Sequence, residues 1–373
     1  MSAGSVRPLR RRRTPVYLIT GVDDAAMATT SLALQLSLPG AVAVRHVIDP
    51  TSGTLTRTVA DLTGVLERTT IDLEHACVSC AIREDIVPTL ERLAAAGRWD
   101  AVLACLPVTA ESTQVCRVLS WAPAKAPHVR IAAVVAALNG ATVPDDLLGE
   151  DLVAERGLAT ADDDDRGIAE VACAQVEYAD LLCLSEPPGP EATGLLTALA
   201  RPHVPLVTDL SLLDAATLDA CVHQHPATEA WVGEVREGVL PALEHGAAWR
   251  LDLHSDRPFH PERFTQELAT LGSGPRRSRG CFWLPTRPRD ICVWDGAGGQ
   301  ASVGCTQQWD LGQRPFTRIV ITGIDDDHAE RDAIEAAFAR CLVTDEELAA
   351  RGWSWDDGWD GLEAWLGPID THA

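Results

Sequence analysis

Lysine is almost absent from this chain: Lys125 is the single one, and the other basic residues among the 31 lysines and arginines are arginine. A site that needs a lysine ammonium as its point charge is therefore nearly excluded. Long apolar runs are missing too, since no stretch approaches the ~20 apolar residues of a membrane span. Residues 16–20 are too short for the apolar core of a secretory signal. We expect a cytoplasmic protein with no membrane partner.

The net charge of −23 excludes a second class of partner. A body this acidic repels nucleic acid and anionic membrane at long range, so we predict no direct DNA contact and favour a basic protein surface as partner. The exception is the start of the chain, residues 1–14, where Arg7 to Arg13 are basic. This flexible tail is a candidate for weak contact with RNA.

Eleven cysteines in 373 residues are too sparse for a disulfide framework. Without a secretory signal they indicate mostly buried thiols in a reducing compartment. We interpret all but Cys77 and Cys80 as core residues without a partner.

Short apolar runs alternate with helical stretches over the first 200 residues. The runs that predict strands buried on both faces are residues 16–20, 41–48, 101–106, 130–138 and 179–185. This alternation predicts a P-loop-like α/β fold, an open, mostly parallel sheet with helices on both faces. Residues 54–61 and 65–73 predict a hairpin.

The composition changes near residue 247, where strand-like and helix-like segments indicate a smaller α+β domain. We therefore predict a first domain over residues 15–246 and a second over 247–350. The last segment, 351–373, is acidic and rich in tryptophan. It is either a strap that packs its indole rings on the body or a segment that docks a partner through aromatic anchors.

The turn after the first predicted strand is where a P-loop, G-x-x-x-x-G-K-[ST], would hold phosphates and Mg²⁺. The residues at the diagnostic positions and just after them are Gly21, Ala26, Met27, Ala28 and Thr29. The second glycine, the lysine and the metal-binding hydroxyl are therefore missing, and Thr29 comes one place late. We interpret these residues as a vestigial nucleotide site and assign no catalytic residue.

Two further features argue against GTP. Asp23 and Asp24 are predicted to lie in the loop, where a carboxylate ~4 Å from a phosphate costs roughly 4 kcal/mol, about three decades of affinity. The guanine-reading N-K-x-D motif should follow the strand at residues 179–185, but the chain continues with Glu186 and two prolines. GTP binding is therefore not expected.

The sequence His75-Ala76-Cys77-Val78-Ser79-Cys80 lies between a strand and a helix. Two thiols at C-x-x-C spacing can clamp Zn²⁺, with His75 or Glu74 as further ligands. A helix N-terminus also lowers the pKa of a thiol. A redox pair and a pair of structural thiols without metal are the alternatives.

Several segments together resemble the CobW-type metal-linked GTPases. Residues 75–85 resemble the family's G-C-x-C-C-x-x-R-x-D/E segment, with Ala76 for glycine and Ser79 for the middle cysteine. Further matching segments are residues 173–185, 257–264, 277–299 and 341–348, the last three in the CobW C-terminal domain. Within that family, a lost P-loop beside retained cysteines resembles an actinobacterial branch that recruits a ribosome hibernation factor under zinc limitation.

This resemblance implies a zinc-responsive adaptor whose Cys77 and Cys80 hold or sense zinc, with a ribosomal protein or hibernation factor as partner. Whether the chain is an enzyme is left open by the sequence, because the family hydrolyses GTP and these motifs do not support it. The alternatives are a GTP-dependent zinc metallochaperone and an interaction scaffold without metal.

Overall fold

The computed structural model describes residues 13–75, 77–161, 163–243, 246–324, 327–351, 355 and 359–369. The prediction for the basic tail falls largely on residues outside these ranges, as does Trp353. None of the helices in the described part of the chain has the length and apolar character needed to span a bilayer.

The first domain is built on one large sheet. Its strands are β1 (Thr14–Thr20), β2 (Ala41–Asp49), β3 (Thr54–Asp61), β4 (Gly64–Asp72), β5 (Ala101–Cys105), β6 (Val129–Leu138), β7 (Leu181–Leu184) and β8 (Leu206–Val207). Within the described residues they lie in the order β4-β3-β2-β5-β1-β6-β7-β8. Only β3 runs opposite to the other strands, so it pairs antiparallel with β2 and, as the predicted hairpin, with β4. The prediction of an open, mostly parallel sheet is confirmed.

Helices cover both faces of this sheet. They are α1 (Asp24–Ser37), α2 (Val78–Ala81), α3 (Val87–Ala96), α4 (Ser112–Trp121), α5 (Val143–Leu148), α6 (Ile168–Tyr178), α7 (Pro190–Leu199), α8 (Ala215–Ala220) and α9 (His225–Val232). Alternate residues of β1 explain the two layers, since Val16 and Leu18 pack towards α3 whereas Tyr17 and Ile19 pack towards α1. A π-helical turn, Ile82–Ile86, joins α2 to α3. Pro88 lies in the first turn of α3, where a proline is tolerated.

The second domain has an antiparallel sheet. Its elements are β9 (Trp249–Ser255), α10 (Pro261–Gly272), β10 (Arg277–Leu284), β11 (Arg287–Ala297), β12 (Gln300–Gln308), β13 (Thr317–Gly323), α11 (His328–Cys341), α12 (Asp345–Arg351) and α13 (Glu363–Leu366). The strand order is β12-β11-β10-β13-β9. Four fully buried rings, Phe259, Phe264, Phe282 and Trp294, form the centre of its core.

A buried charge cluster joins the two domains. Glu177 of α6 accepts hydrogen bonds from Arg277 of β10 at 2.9 and 3.0 Å and a third from Arg279. All three side chains are less than a tenth exposed. Burial alone raises the pKa of Glu177, but the two guanidinium groups outweigh it and lower the pKa from 4.5 to about 2. The carboxylate is therefore charged throughout the neutral range.

Because the pKa of Glu177 is lowered in the folded protein, the free energy of unfolding depends on pH in the acidic range. Because the folded pKa lies below the unfolded one, Glu177 stabilises the fold fully above about pH 4.5 and loses that contribution as pH falls towards 2. The loss is about 3 kcal/mol in the free energy of unfolding. Urea unfolding from pH 6 down to about pH 3, compared with Glu177→Gln, checks this: the variant should lose less stability over that window. Parallel profiles would contradict it.

A second buried ion pair fastens the end of the chain to this domain. Arg287 donates to Asp360 at 2.8 Å and to the carbonyl oxygens of Leu366 and Gly367. Trp355 is buried and packs edge-on against His260, so the prediction of a packing strap is confirmed for that ring. The rings of Trp359 and Trp365 are exposed, and for them the docking alternative stays a prediction.

Replacing Asp360 with alanine should destabilise the protein by about 3 kcal/mol, because a buried guanidinium then lacks its counter-charge. Urea denaturation followed by tryptophan fluorescence measures this loss. Asp332→Ala, an exposed acid of α11, is the matched control and should change stability by less than about 0.5 kcal/mol. Equal midpoints for both variants would show that the strap is not held by this pair.

Candidate functional site

The connection between β1 and α1 contains only residues 21–23, because α1 begins at Asp24. Ala26, Met27, Ala28 and Thr29 therefore lie inside the helix rather than in a phosphate-binding loop. The sequence pattern predicts a helix around residues 28–37, and this predicted start is wrong because α1 begins at Asp24. Asp24 likewise opens the helix instead of belonging to the loop. The physical reason is Asp23, whose carboxylate caps the helix by accepting from the backbone N–H of Ala26 at 3.0 Å.

This cap places a negative charge where a phosphate would bind. A helix N-terminus attracts anions through its free N–H groups and its dipole, and Asp23 already satisfies that demand. The nearby cation, Arg45, donates a hydrogen bond to the carboxylate of Asp24 at 2.7 Å, so its charge is neutralised by that carboxylate. Met27 is buried against Gly21, where an added Cβ would lie 2.9 Å from its Cγ. Gly21 thus serves close packing.

The described residues at the end of β5 also lack the carboxylate that would help to hold Mg²⁺. In P-loop proteins an Asp at the end of a neighbouring strand helps to hold the metal. Here β5 ends at Cys105 and continues with Leu106 and Pro107. After β7, the backbone of Glu186 packs on Gly140, whose added Cβ would lie 2.1 Å from the Glu186 carbonyl oxygen. The described residues therefore do not fit GTP–Mg²⁺, and no chemical step is assigned to it.

An apolar cavity of about 560 Å³ lies beside α1. Its walls come from α1, from β2, β3 and β5, and from residues 157–160. Met27, Ala28, Leu32 and Leu106 are among its apolar lining residues, and Asp24 with Arg45 forms an ion pair at its edge. Nothing in the sequence motifs predicted this cavity, which forms from residues far apart in the chain.

Cys77 and Cys80 are brought together as predicted. Cys77 caps the short helix α2, and its Sγ accepts from the backbone N–H of Cys80 at 3.3 Å. Cys80 is buried and Cys77 is half-buried, whereas His75 is exposed. Arg83 lies beside Cys80, with Nη2 3.8 Å from Sγ. The metal assignment of Cys77, Cys80 and His75 stays a prediction.

Burial, together with the hydrogen bond that the thiol donates to Cys77, raises the pKa of Cys80. The expectation that a helix N-terminus lowers the pKa is therefore wrong for Cys80, because the desolvation of the buried thiol outweighs any such effect. No three His, Cys, Asp or Glu side chains are grouped as a metal site among the described residues. The two sulfurs are soft donors that fit Zn²⁺, and a closed site would need ligands beyond them.

Two more acids lie at the mouth of this motif. Arg83 donates to Glu74 at 2.8 Å and to Glu84 at 2.9 Å. All of these groups are at or near the surface, since the side chains of Arg83 and Glu74 are more than half exposed. Arg83 thus contacts both carboxylates and the Cys80 sulfur.

A buried network fixes the segment that follows. Asp85, in the π-helical turn, lies 3.1 Å from Nε2 of His46 and also pairs with Arg57. Burial raises the pKa of Asp85, but His46 and Arg57 outweigh it and the pKa is lowered. This network ties the cysteine motif to β2 and β3. The sequence alone indicates His46 only as a surface or packing residue, and no local pattern predicts its pairing with Asp85.

Two family descriptions match the chain. Residues 54–186 match the "CobW/HypB/UreG, nucleotide-binding domain", and residues 249–342 match the "Cobalamin synthesis protein cobW C-terminal domain". The chain combines these two CobW-type domains. The matched part of the CobW nucleotide-binding domain begins at residue 54, after α1 and β2.

Similar proteins were found over most of the length. A zinc chaperone of Mycobacterium tuberculosis is 27% identical over 91% of this chain and 90% of its own. A zinc-regulated GTPase metalloprotein activator of Dictyostelium discoideum is 21% identical over 80% of this chain and 70% of its own. The Zn(II)-bound YjiA GTPase of E. coli is 18% identical, with a TM-score of 0.33, covering 89% of this chain and all of that one.

Proposed function

We propose that this CobW-type chain is a cytoplasmic, zinc-responsive adaptor that does not hydrolyse GTP efficiently. The observation that carries the proposal is the capped start of α1, where Asp23 accepts from the N–H of Ala26 and Met27, at the lysine position of the motif, packs against Gly21. A CobW scaffold that has lost this site can still present surfaces to a protein partner.

Zinc enters the proposal through two lines of support. Cys77, which is half-buried, and Cys80, which is buried, provide a pair of soft ligands, and Glu74 and His75 nearby in the chain are exposed. Two relatives that match most of the chain are named for zinc. We propose zinc as the effector that this motif holds, and we assign it no catalytic step.

The proposed partner is a ribosomal protein or a ribosome hibernation factor. The support is the family resemblance together with the net charge of −23, which suits a basic protein surface. A pull-down from zinc-starved cells should recover such a protein, and the yield should fall in zinc-replete cells. Recovery of neither class under zinc starvation would contradict this choice of partner.

A GTP-dependent zinc metallochaperone is the second candidate, because one relative is named a zinc-regulated GTPase metalloprotein activator. It requires saturable, Mg²⁺-dependent turnover of GTP. The third, a scaffold without metal, requires that the cysteine motif be indifferent to zinc.

Calorimetric titration with GTP and Mg²⁺ separates the first two. We expect no saturable heat up to about 1 mM nucleotide, a binding free energy weaker than about 4 kcal/mol, and no phosphate release above background. Asp23→Asn removes the charge but keeps the cap, so it should not gain affinity either, because the helix still begins too early. Micromolar binding by the wild type would restore the GTPase alternative.

A further inference from the structure

The second domain contains a pair of thiols that sequence reasoning treated as isolated core residues. Cys292 of β11 lies directly opposite Cys305 of β12, and their sulfur atoms are 3.4 Å apart. The expectation that these cysteines have no partner is wrong. The pairing depends on the register of the two strands, which includes a bulge between Ile291 and Cys292.

The two thiols differ in exposure. Cys292 is fully buried in the core of the second domain, whereas Cys305 is half-buried on the edge strand of the sheet. A reagent in the solvent therefore reaches Cys305 first. Cys292 lies deeper in the domain, and its sulfur contacts that of Cys305. This is the arrangement of an attacking and a resolving thiol.

We propose that Cys292 and Cys305 are a site of reversible oxidation that forms a cross-strand disulfide on exposure to a peroxide. Directly opposed residues of antiparallel strands have Cα separations within the range that disulfides accept. The sulfurs are already in contact, so bond formation needs only a small side-chain adjustment.

The reaction balances with hydrogen peroxide as the oxidant. The Cys305 thiolate attacks one peroxide oxygen, the O–O bond breaks, and Cys305 becomes a sulfenic acid. The hydroxide that leaves takes up the proton that Cys305 released on ionising and becomes water. The sulfur of Cys292 then attacks the Cys305 sulfur, the S–O bond breaks, and the departing hydroxide takes the Cys292 proton as water. Two thiols are oxidised, and one peroxide is reduced to two waters.

The pKa shifts of the two thiols agree with these roles, Cys305 attacking and Cys292 resolving. The hydrogen bond from Cys292 lowers the pKa of Cys305 despite partial burial, while the pKa of Cys292 is raised by the same contact and by burial. Arg287, the residue that anchors Asp360, also favours the thiolates of both cysteines. A disulfide here would form beside the attachment of α13.

The test uses the reduced full-length chain, treated with hydrogen peroxide and analysed by intact mass and peptide mapping. A Cys77→Ser/Cys80→Ser background removes the other close pair of thiols. We expect a loss of about 2 Da, a linked peptide containing residues 292 and 305, and reversal by dithiothreitol. Failure of the proposed zinc function would not affect this result.

Single variants separate the two roles. In Cys292→Ser, a dimedone adduct should accumulate on Cys305, because the resolving thiol is missing. In Cys305→Ser, Cys292 should stay reduced, because it is buried. Peptide mapping of the wild type does not depend on whether either variant folds. Peroxide treatment that leaves both wild-type thiols open to alkylation after unfolding, or takes Cys305 to a sulfinic acid without a linked peptide, would overturn the proposal.

Discussion

Zinc affinity should fall by more than about 100-fold when Cys77 and Cys80 are both replaced with serine. Loss of groups that only support a metal ligand already costs 10–100-fold, and this change removes both thiolates themselves. Competition against a chromophoric zinc chelator, with reduced protein at pH 7, measures the effect. The fold should survive, because Cys77 is half-buried and serine also caps helices.

The control for this prediction lies inside the same motif. Ser79 is exposed between the two cysteines, so Ser79→Ala should leave zinc affinity unchanged. Zinc must displace the thiol protons, and burial raises the pKa of Cys80. Affinity should therefore rise with pH over the range 6 to 8 in the wild type and much less in the double variant. Equal affinities for wild type and double variant would favour the scaffold without metal.

Glu177→Ala should remove about 3–5 kcal/mol from the free energy of unfolding. Arg277 and Arg279 are buried and share this carboxylate, so its loss leaves two guanidinium groups short of negative charge at the domain boundary. Arg277 retains Asp295, which keeps the penalty from being larger. Urea denaturation at pH 7, followed by circular dichroism and tryptophan fluorescence, measures the change.

Two comparisons sharpen this test. Glu191→Ala, at an exposed position of α7, should cost less than about 0.5 kcal/mol. Glu177→Gln keeps the volume and part of the hydrogen bonding, so its loss should lie between the two. If the unfolding transitions followed by circular dichroism and by tryptophan fluorescence differ only in Glu177→Ala, the two domains unfold independently once the cluster is broken. A loss below about 1 kcal/mol would show that the cluster contributes little to stability.

Most strands could be predicted from the sequence because they are continuous apolar runs, and the hairpin of β3 and β4 followed from alternation. The start of α1 was missed for a specific reason. Asp23 and Asp24 were interpreted only as charges that repel phosphate, although an aspartate before an alanine-rich segment is also a helix-start signal. That signal was present and would have placed the helix correctly.

Other parts of the sites depend on contacts that no local pattern encodes. Glu177 meets Arg277 across 100 positions of sequence. Cys292 meets Cys305 only because a bulge sets the register of β11 on β12. The pairing of His46 with Asp85 likewise joins a strand to a distant turn. Such long-range contacts follow from the packing of the whole domain.

The self-capped start of α1 has a consequence for how such a protein would be controlled. In a GTPase the chain around the phosphates alternates between two shapes, and hydrolysis sets the timing. Under the proposed function, the carboxylate of Asp23 that caps the helix is covalently part of the chain, so this end of the sheet would keep one conformation. Any on–off behaviour would then depend on the amount of protein that is made and on the molecules that bind to it, because no nucleotide hydrolysis would set its timing.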